Sequence, residues 1–535
     1  MPEKRVFLRE ATGLVREIGF LQHVLINGNA LPLMSVAITP WYIWVAIPGG
    51  DPILATILGF LFSAFGTCIC YAMTAATFPR SASPYVTQTR VLHPAVGWPS
   101  DVLMWVGQIS FIGLLASMIL FWAVAPGLYA MGISSGNQLF VNAAWTLIDP
   151  IWTMVFGTLI IVLLAIVVIP GTRALLRFNL IVQILMFVGV LAMIAILATA
   201  SPDRFAALTV KYLNQDYNTI LTTARESYPS MMVPISFGAY ALLASIGLSA
   251  GAVNTYWNAW AAGEVKRAGA VRMQVLSMVI PSTIATVISV VTFALAYNVA
   301  GREFLVGLTQ LMTYNAAFFE APFFTALAGV TFVPMMLADN MYVQLLLLIC
   351  FSAAALAYIP FFMLLGTRGM FAWAFDRLLP AKFAEINERW RSPVFATLFI
   401  LAFGWACLLI FTYFSAYTLF FFAATWDIGL ISITILCVAA MLLPLRKRLW
   451  DLSPAKKYMI GSVPVIVIAG IIGTFYNAVS VWIYSTAPAM GFGLASLELI
   501  IVVSVAPFVL YWIIRAVRRR QGIDLDYIFR ELPPE

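Results

Sequence analysis

A short stretch near the N-terminus, HVLINGNALP at residues 23–32, carries groups that could hold a small polar solute. Asn27, Gly28 and Asn29 favour a break in helical winding, and a break leaves backbone N–H groups without intrahelical partners. Such N–H groups carry a partial positive charge, which attracts a carboxylate. The free carbonyl oxygens of the preceding turn offer acceptors to an ammonium group or a metal cation.

A second stretch, residues 235–266, has the same character, because glycine and polar residues interrupt its apolar pattern. We expect its winding to be lost between about Gly251 and Thr255. Two such breaks placed together would bind a zwitterion without any buried charged side chain, and a free amino acid is the commonest small zwitterion. The alternative for each break is a kink that binds no ligand, since glycine and proline are frequent in ordinary membrane helices.

The surrounding elements are predicted to be membrane-spanning helices, because 62% of the 535 residues are hydrophobic, 10% are charged and the mean hydropathy is +0.95. A spanning helix needs about 20 apolar residues to cross roughly 30 Å of hydrocarbon. Twelve candidates meet that length, at approximately 18–45, 53–77, 97–126, 151–170, 174–200, 231–264, 273–299, 341–373, 393–414, 416–443, 458–484 and 491–517.

The distribution of Lys and Arg between the loops predicts how these segments are oriented in the membrane. Alternating loops place 26 of the 30 Lys and Arg residues on the side of the N-terminus and four on the other side. Basic loops stay in the cytoplasm, so both termini are predicted to be cytoplasmic, in a multi-pass protein of the cell membrane. The same asymmetry explains the net charge of +7 without any nucleic-acid partner. The five cysteines fall in predicted spans and read as small buried hydrophobes rather than a disulfide framework or metal ligands.

The interrupted segments open two successive runs of five predicted spans. Because five is odd, the runs begin on opposite sides of the membrane, as in transporters built from inverted repeats. The predicted organisation is a cytoplasmic segment (1–17), two five-helix repeats (18–200 and 231–443), two further helices (458–517) and a cytoplasmic tail (518–535). Two outer loops, 201–230 and 300–340, are expected to contain short helices.

Three loop motifs resemble amino acid permeases of the amino acid–polyamine–organocation superfamily. They are YAMTAATFPRSASPYVTQTR (71–90), AAGEVKRAGAVRMQ (261–274) and GTRGMFAWAFDRLLPAKFAEINERWRSPVFA (366–396). The resemblance implies a leucine-transporter-type fold with five plus five inverted helices, in which helices 1 and 6 are discontinuous. It also implies a substrate held between those two helices, with side chains from helices 3 and 8. The corresponding residues here are Ile26, Asn27, Gly28, Asn29, Gly251, Val253, Asn254, Thr255, Tyr256 and Trp257, with Trp105 and Gln108 from helix 3.

This chain departs from the family at three points. NGNALP replaces the usual glycine-rich run at the first break, and Gly263 replaces the first Glu of a usual pair, leaving Glu264 alone. Some relatives carry a lysine on helix 5 that acts as a proton switch, whereas residues 178–191 here contain no basic residue. Coupling by such a lysine is therefore not expected.

Four ionisable residues are candidates for coupling or gating. His23 lies one turn before the first break, and Asp427 is the acidic residue well inside a span of the second repeat. Ionisable groups in membrane helices are costly and mark functional sites, although a paired or packed structural role stays open for both. Five charged residues, Arg80, Glu264, Lys266, Arg368 and Asp376, are expected to form ion pairs that close the cytoplasmic side, with a solvated charged fringe as the alternative. Glu264 and Arg368 fall within the matched motifs and are the members favoured for gating. Ser352 on helix 8 is a candidate sodium ligand.

These features favour secondary-active transport of a neutral amino acid by alternating access. The alternatives are another small amine or a nucleobase carried on the same fold, or an amino acid exchanger. Neither a Walker-type phosphate loop nor a catalytic cluster is present in the sequence, so we expect no enzymatic activity, and no cofactor or bound metal beyond coupling to H⁺ or Na⁺. The expected partners are the amino acid and the lipid bilayer, and the oligomeric state is left open.

Overall fold

The computed structural model describes residues 16–28, 31–319, 326–390, 392–414, 418–486 and 494–533. The helices, numbered in chain order, are α1 (Phe20–Asn27), α2 (Leu31–Ala46), α3 (Pro52–Thr77), α4 (Ser83–Val91), α5 (Pro94–Ser135), α6 (Gln138–Leu147), α7 (Pro150–Val168), α8 (Thr172–Thr199), α9 (Pro202–Leu213), α10 (Tyr217–Ser227), α11 (Ala239–Leu248), α12 (Ala250–Val253), α13 (Val271–Ala300), α14 (Arg302–Tyr314), α15 (Ala326–Ala338), α16 (Met341–Phe375), α17 (Val394–Tyr413), α18 (Thr418–Leu442), α19 (Lys447–Leu452), α20 (Val465–Thr486), α21 (Leu494–Arg520) and α22 (Leu525–Ile528).

Short 3₁₀ helices and one small hairpin complete the described structure. The 3₁₀ helices are Trp257–Glu264, Ala316–Phe319, Ala381–Ala384, Leu443–Leu445 and Pro454–Lys457. Strands β1 (Met459–Ile460) and β2 (Val463–Pro464) pair antiparallel. The chain is therefore essentially all-α, as the sequence predicts.

Ten helices in the described parts of the chain are long and apolar enough to cross a membrane, namely α3, α5, α7, α8, α13, α16, α17, α18, α20 and α21. The protein is thus a multi-pass membrane protein. The first and sixth predicted segments are not among the ten, because each is divided into shorter pieces. The count of twelve spans and the inverted repeat stay predictions.

Polar caps define where the long helices begin. Asp51 accepts the N–H of Leu54 at the start of α3, and Asp149 accepts that of Ile151 at the start of α7. Asn340 does the same for α16, accepting from Tyr342. Each cap satisfies N–H groups that the first turn would otherwise leave unpaired.

Helix α5 forms the centre of the packing, against α16, α17 and α18. Glycine allows the close approach: a Cβ on Gly113 would lie 2.2 Å from the backbone N of Leu408 in α17, and one on Gly107 would lie 2.6 Å from the carbonyl oxygen of Thr425 in α18. Small residues at helix contacts are the usual means of tight packing in membranes.

We use "basic face" for the side that carries loop residues 78–93, 265–270 and 376–390 and the tail 521–533. The tail packs onto this face: Leu525 and Phe529 are buried, and Arg80 donates from Nε to the carbonyl of Pro533 at 2.9 Å. On the other side, the predicted short helices in loops 201–230 and 300–340 are confirmed as α9, α10, α14 and α15.

Candidate functional site

The first break separates α1 from α2. Helix α1 ends at Asn27, where the N–H of Gly28 still reaches the carbonyl of Val24 at 2.8 Å, and α2 begins at Leu31. Asn29, one of the predicted binding residues, lies outside the described residues. The side chains of Ile26 and Asn27 are buried.

The second break follows α12. Gly251 is still helical, and winding is lost after Val253, a little later than the predicted start. Asn254 is extended (φ −71°, ψ 127°) and Tyr256 has φ −153° and ψ 0°, after which the chain enters the 3₁₀ helix Trp257–Glu264. The predicted discontinuity is therefore present, centred on residues 254–256.

Asn27 joins the two breaks. Its Oδ1 accepts the backbone N–H of Asn258 at 3.2 Å, and its Nδ2 donates to the carbonyl of Ser277 in α13 at 3.0 Å. The side chain of Asn258 contacts the same serine, because its Nδ2 donates to the hydroxyl of Ser277 at 3.1 Å. These three buried residues connect α1, the segment after the second break, and α13.

Hydroxyl groups form hydrogen bonds between the second break and the neighbouring helices α3 and α13. The carbonyl of Val253 accepts from the hydroxyls of Ser63 in α3 at 3.2 Å and Ser282 in α13 at 2.8 Å. Thr255 donates from its own hydroxyl to the carbonyl of Met278 at 2.6 Å. Ser63 begins a π-helical turn inside α3, and such turns are frequent at functional sites. The sequence carries no signal for that turn.

Several buried polar atoms at the second break have no hydrogen-bond partner among the described residues. They are Oδ1 of Asn254, Oδ1 of Asn258, and the hydroxyls of Tyr71 and Tyr256. Buried polar atoms are normally paired, so a cluster without partners requires an explanation. A bound polar solute or ordered water would supply one.

Aromatic rings pack along the same segment. The rings of Tyr256 and Tyr71 stack with centroids 4.9 Å apart, and Trp257 packs edge-on against Phe362 of α16 at 5.3 Å. Residues of the second break, α3 and α16 therefore form one aromatic cluster, and the role of Tyr256 and Trp257 as a cover over the substrate stays a prediction.

Trp105 and Gln108 lie on α5 and contact other long helices. The ring of Trp105 contacts Trp373 of α16 and Phe403 of α17, and the side chain of Gln108 lies beside Gly429 of α18. A role of these two residues in binding substrate stays a prediction.

The coupling candidates occupy separate places. His23 is buried, and neither ring nitrogen has a hydrogen-bond partner among the described residues. Asp427 is buried in α18 and accepts from the hydroxyl of Ser485 in α20 at 3.0 Å, while its Oδ1 has no described partner. The hydroxyl of Ser352 is likewise buried without a described partner.

A buried ion pair closes the basic face beneath the second break. Arg368 of α16 donates from Nε to Oε1 of Glu264 at 2.6 Å, and the hydroxyl of Thr172 at the start of α8 donates to the other Glu264 oxygen. The backbone also closes here: Ile18 donates to the carbonyl of Glu264 at 3.0 Å and accepts from Lys266 at 2.9 Å. Two members of the charged set, Glu264 and Arg368, therefore pair with each other, and their role in gating stays a prediction.

Three further charged residues lie at this end of the molecule: Asp376 belongs to the set expected to form ion pairs, whereas Arg90 and Asp101 are not singled out by the sequence. Arg90 pairs with Asp376 at 2.6 Å, both side chains being 3% exposed, and Tyr85 donates to the same carboxylate. Asp101 of α5 is 1% exposed, accepts from the indole of Trp373 at 2.8 Å, and has one oxygen without a described partner. The sequence gives little signal for Asp101, because it lies near the start of a predicted span rather than near its centre.

In the described parts of the chain, no group of three His, Cys, Asp or Glu side chains is arranged to hold a metal ion. All five cysteines are buried and free. A comparison with models of known protein families and a search of curated proteins both return no match to this chain.

Proposed function

We propose that this chain is a secondary-active transporter of neutral amino acids that works by alternating access. The observation that carries the proposal is the junction of two interrupted helices inside the protein, fastened by Asn27 and Asn258. Broken helices that meet within the membrane are a common means of holding a small solute in secondary transporters. The resemblance of three loop motifs to amino acid permeases supports the same proposal.

The chemistry at the junction favours a zwitterion. The unpartnered oxygens of Asn254 and Asn258 are acceptors for an ammonium group, and N–H groups at the start of α2 would face a carboxylate. Residues 251–258 contain no charged side chain, and a cationic substrate would require a carboxylate there. Tyr256 and Trp257 would cover the apolar part of the substrate.

Alternating access requires the seal on the basic face to open. We infer that the Glu264–Arg368 pair and the backbone bonds of Ile18 to Glu264 and Lys266 form this seal. We propose that separation of this pair releases substrate to the cytoplasm. Protons or sodium ions would drive the cycle, with Asp427 and His23 as candidate proton carriers and Ser352 as a candidate sodium ligand.

The test is uptake by purified protein in liposomes, with a panel of labelled amino acids under imposed proton or sodium gradients. We expect accumulation of at least one neutral amino acid, and we expect Gly28→Trp to abolish it. A Cβ at Gly28 would lie 3.3 Å from the carbonyl oxygen of Val24 and 3.4 Å from Cβ of Pro281, so we expect an indole there to crowd the contact between α1 and α13 and to fill the first break. If folded protein transports none of the panel, or if Gly28→Trp transports normally, the proposal is wrong.

A further inference from the structure

A cavity of about 430 Å³ opens on the basic face between α1 and α8. Its wall includes four leucines, two from each helix, and its rim carries Arg173, Arg177, Lys266 and Glu17. Glu17 pairs with Arg173 at 2.6 Å. Neither Arg177 nor Lys266 forms an ion pair with any residue that the structure describes, so within that part of the chain the rim carries two bases without an acidic partner.

The positions of the two arginines are unfavourable for α8. Arg173 and Arg177 lie four residues apart in the first turns of α8, where like charges repel and the helix dipole disfavours cations. A local arrangement that opposes stability often marks a functional site. A bound anion would reverse both costs.

Asn179 supplies an independent indication of a ligand. It lines the cavity two residues further along α8 than Arg177, is 1% exposed, and its Oδ1 has no hydrogen-bond partner among the described residues. Leaving a buried amide oxygen unpaired costs about 1–3 kcal/mol. A ligand in the cavity would remove that cost.

The exposed side chains of α8 that follow the cavity along the helix indicate what kind of anion fits. Leu180, Ile181, Ile184, Val188 and Leu191 continue along the same face of α8, and each is 42% exposed or more. An apolar stripe of this length on a membrane helix contacts acyl chains. The basic rim, the amide of Asn179 and the apolar stripe therefore follow the order of phosphate, glycerol ester and acyl chain in a phospholipid.

We propose that the cavity binds the headgroup of an anionic phospholipid in the leaflet at the basic face. Its phosphate contacts Arg177 and Lys266, its ester region lies at Asn179, and its acyl chains follow α8. Basic pockets between membrane helices are known to select anionic lipids in this way. The bound lipid would touch both α1 and α8 and so stabilise the closed arrangement of the basic face.

The experiment measures lipid binding to the full-length protein after delipidation, by native mass spectrometry and by the shift of its unfolding temperature. The added probes are phosphatidylglycerol, phosphatidylcholine and soluble glycerol phosphate. We expect the protein to retain phosphatidylglycerol and neither of the other two probes. The double variant Arg177→Gln, Lys266→Gln should bind phosphatidylglycerol roughly 30-fold more weakly, because each base near a membrane surface contributes about 1 kcal/mol to the binding of an anionic lipid.

The matched control is Lys447→Gln with Arg448→Gln, which removes two exposed bases of α19 on the same face and should leave binding unchanged. Arg177→Lys, which keeps the charge, should lose much less affinity. Equal binding of phosphatidylcholine, or unchanged binding by the Arg177, Lys266 double variant, would overturn the proposal. Binding of glycerol phosphate as tight as that of the lipid would assign the cavity to a soluble anion instead.

Discussion

The amide of Asn27 and the backbone N–H of Asn258 are 231 residues apart in the chain and form a buried hydrogen bond of 3.2 Å. The same side chain donates to the carbonyl of Ser277. A single residue therefore ties α1 to the segment after the second break and to α13. Any motion that separates one of these three elements from the others must break at least one of the two bonds.

Replacing Asn27 with Ala removes both bonds and leaves a buried N–H and a buried carbonyl unpaired. We expect the free energy of unfolding to fall by about 1–3 kcal/mol per orphaned group, and amino acid uptake to be lost. Thermal unfolding and liposome uptake measure the two effects. Asn142→Ala, on the exposed face of α6, is the control and should change neither. Normal uptake by Asn27→Ala would show that the junction is not needed for transport.

The ion pair of Glu264 and Arg368 offers a second test, because its side chains are only 2% and 4% exposed. Glu264→Gln or Arg368→Gln leaves an unpaired buried charge, which costs about 3–5 kcal/mol. The double variant leaves no such charge, so it should be more stable than either single variant. Chemical denaturation of all four proteins gives the coupling energy, and simple additivity would contradict a direct interaction.

An exposed ion pair in the same protein is the control for this comparison of single and double variants. Arg225 and Glu303 form a hydrogen-bonded pair at 2.7 Å with side chains 53% and 43% exposed. The hydrogen bond from Arg225 lowers the pKa of Glu303, yet water screens such a pair strongly. Neutralising either residue should scarcely change stability, and the double variant should behave as the sum of the two.

Gly59 of α3 tests the contact with the second broken segment. A Cβ there would lie 2.5 Å from Cβ of Ser249 and 3.1 Å from Cγ2 of Val253. Gly59→Ala should therefore push α3 away from α12, lower stability by about 1–3 kcal/mol and reduce uptake at least tenfold. In Gly369→Ala the nearest atom would be 3.6 Å away, so that variant should be tolerated. Equal activity of the two would mean that this contact has no role in transport.

Asp427 tests proton coupling. Asp427→Asn keeps an acceptor for Ser485 but cannot release a proton, so we expect loss of uptake driven by a proton gradient while exchange of internal for external substrate continues. Glu498→Gln makes the same chemical change at an exposed position of α21 and should behave as the wild type. If proton-driven uptake survives Asp427→Asn but is lost in Asp101→Asn, the proton carrier is Asp101 and not Asp427.

Much of the fold could be predicted from local signals. Apolar runs located the long helices, and glycine and asparagine located the two discontinuities to within a few residues. Glu264 and Arg368 could be singled out as ion-pairing residues because both lie in charged motifs at one end of their helices, although the sequence does not show which acid meets which base. Each of these inferences depends on a residue type and its neighbours in the chain, which the sequence displays directly.

Relations between distant helices were harder to predict. Trp105 turns toward α16 and α17, and Asp376 pairs with Arg90 although Arg80 also lies in the loop between α3 and α5. Helical phase fixes the angles between side chains on one helix but not the rotation of that helix against its neighbours. That rotation is set by close contacts such as those of Gly107 and Gly113, which become apparent only in three dimensions.

The docking of residues 525–533 has a consequence for limited proteolysis. Arg80 and Arg90 donate to the carbonyls of Pro533 and Glu531, which lie 453 and 441 positions away in the chain, so this segment covers part of the region that contains the two arginines. A protease that removes the segment would uncover that region, so one cut should make a second, distant stretch of the chain susceptible to cleavage.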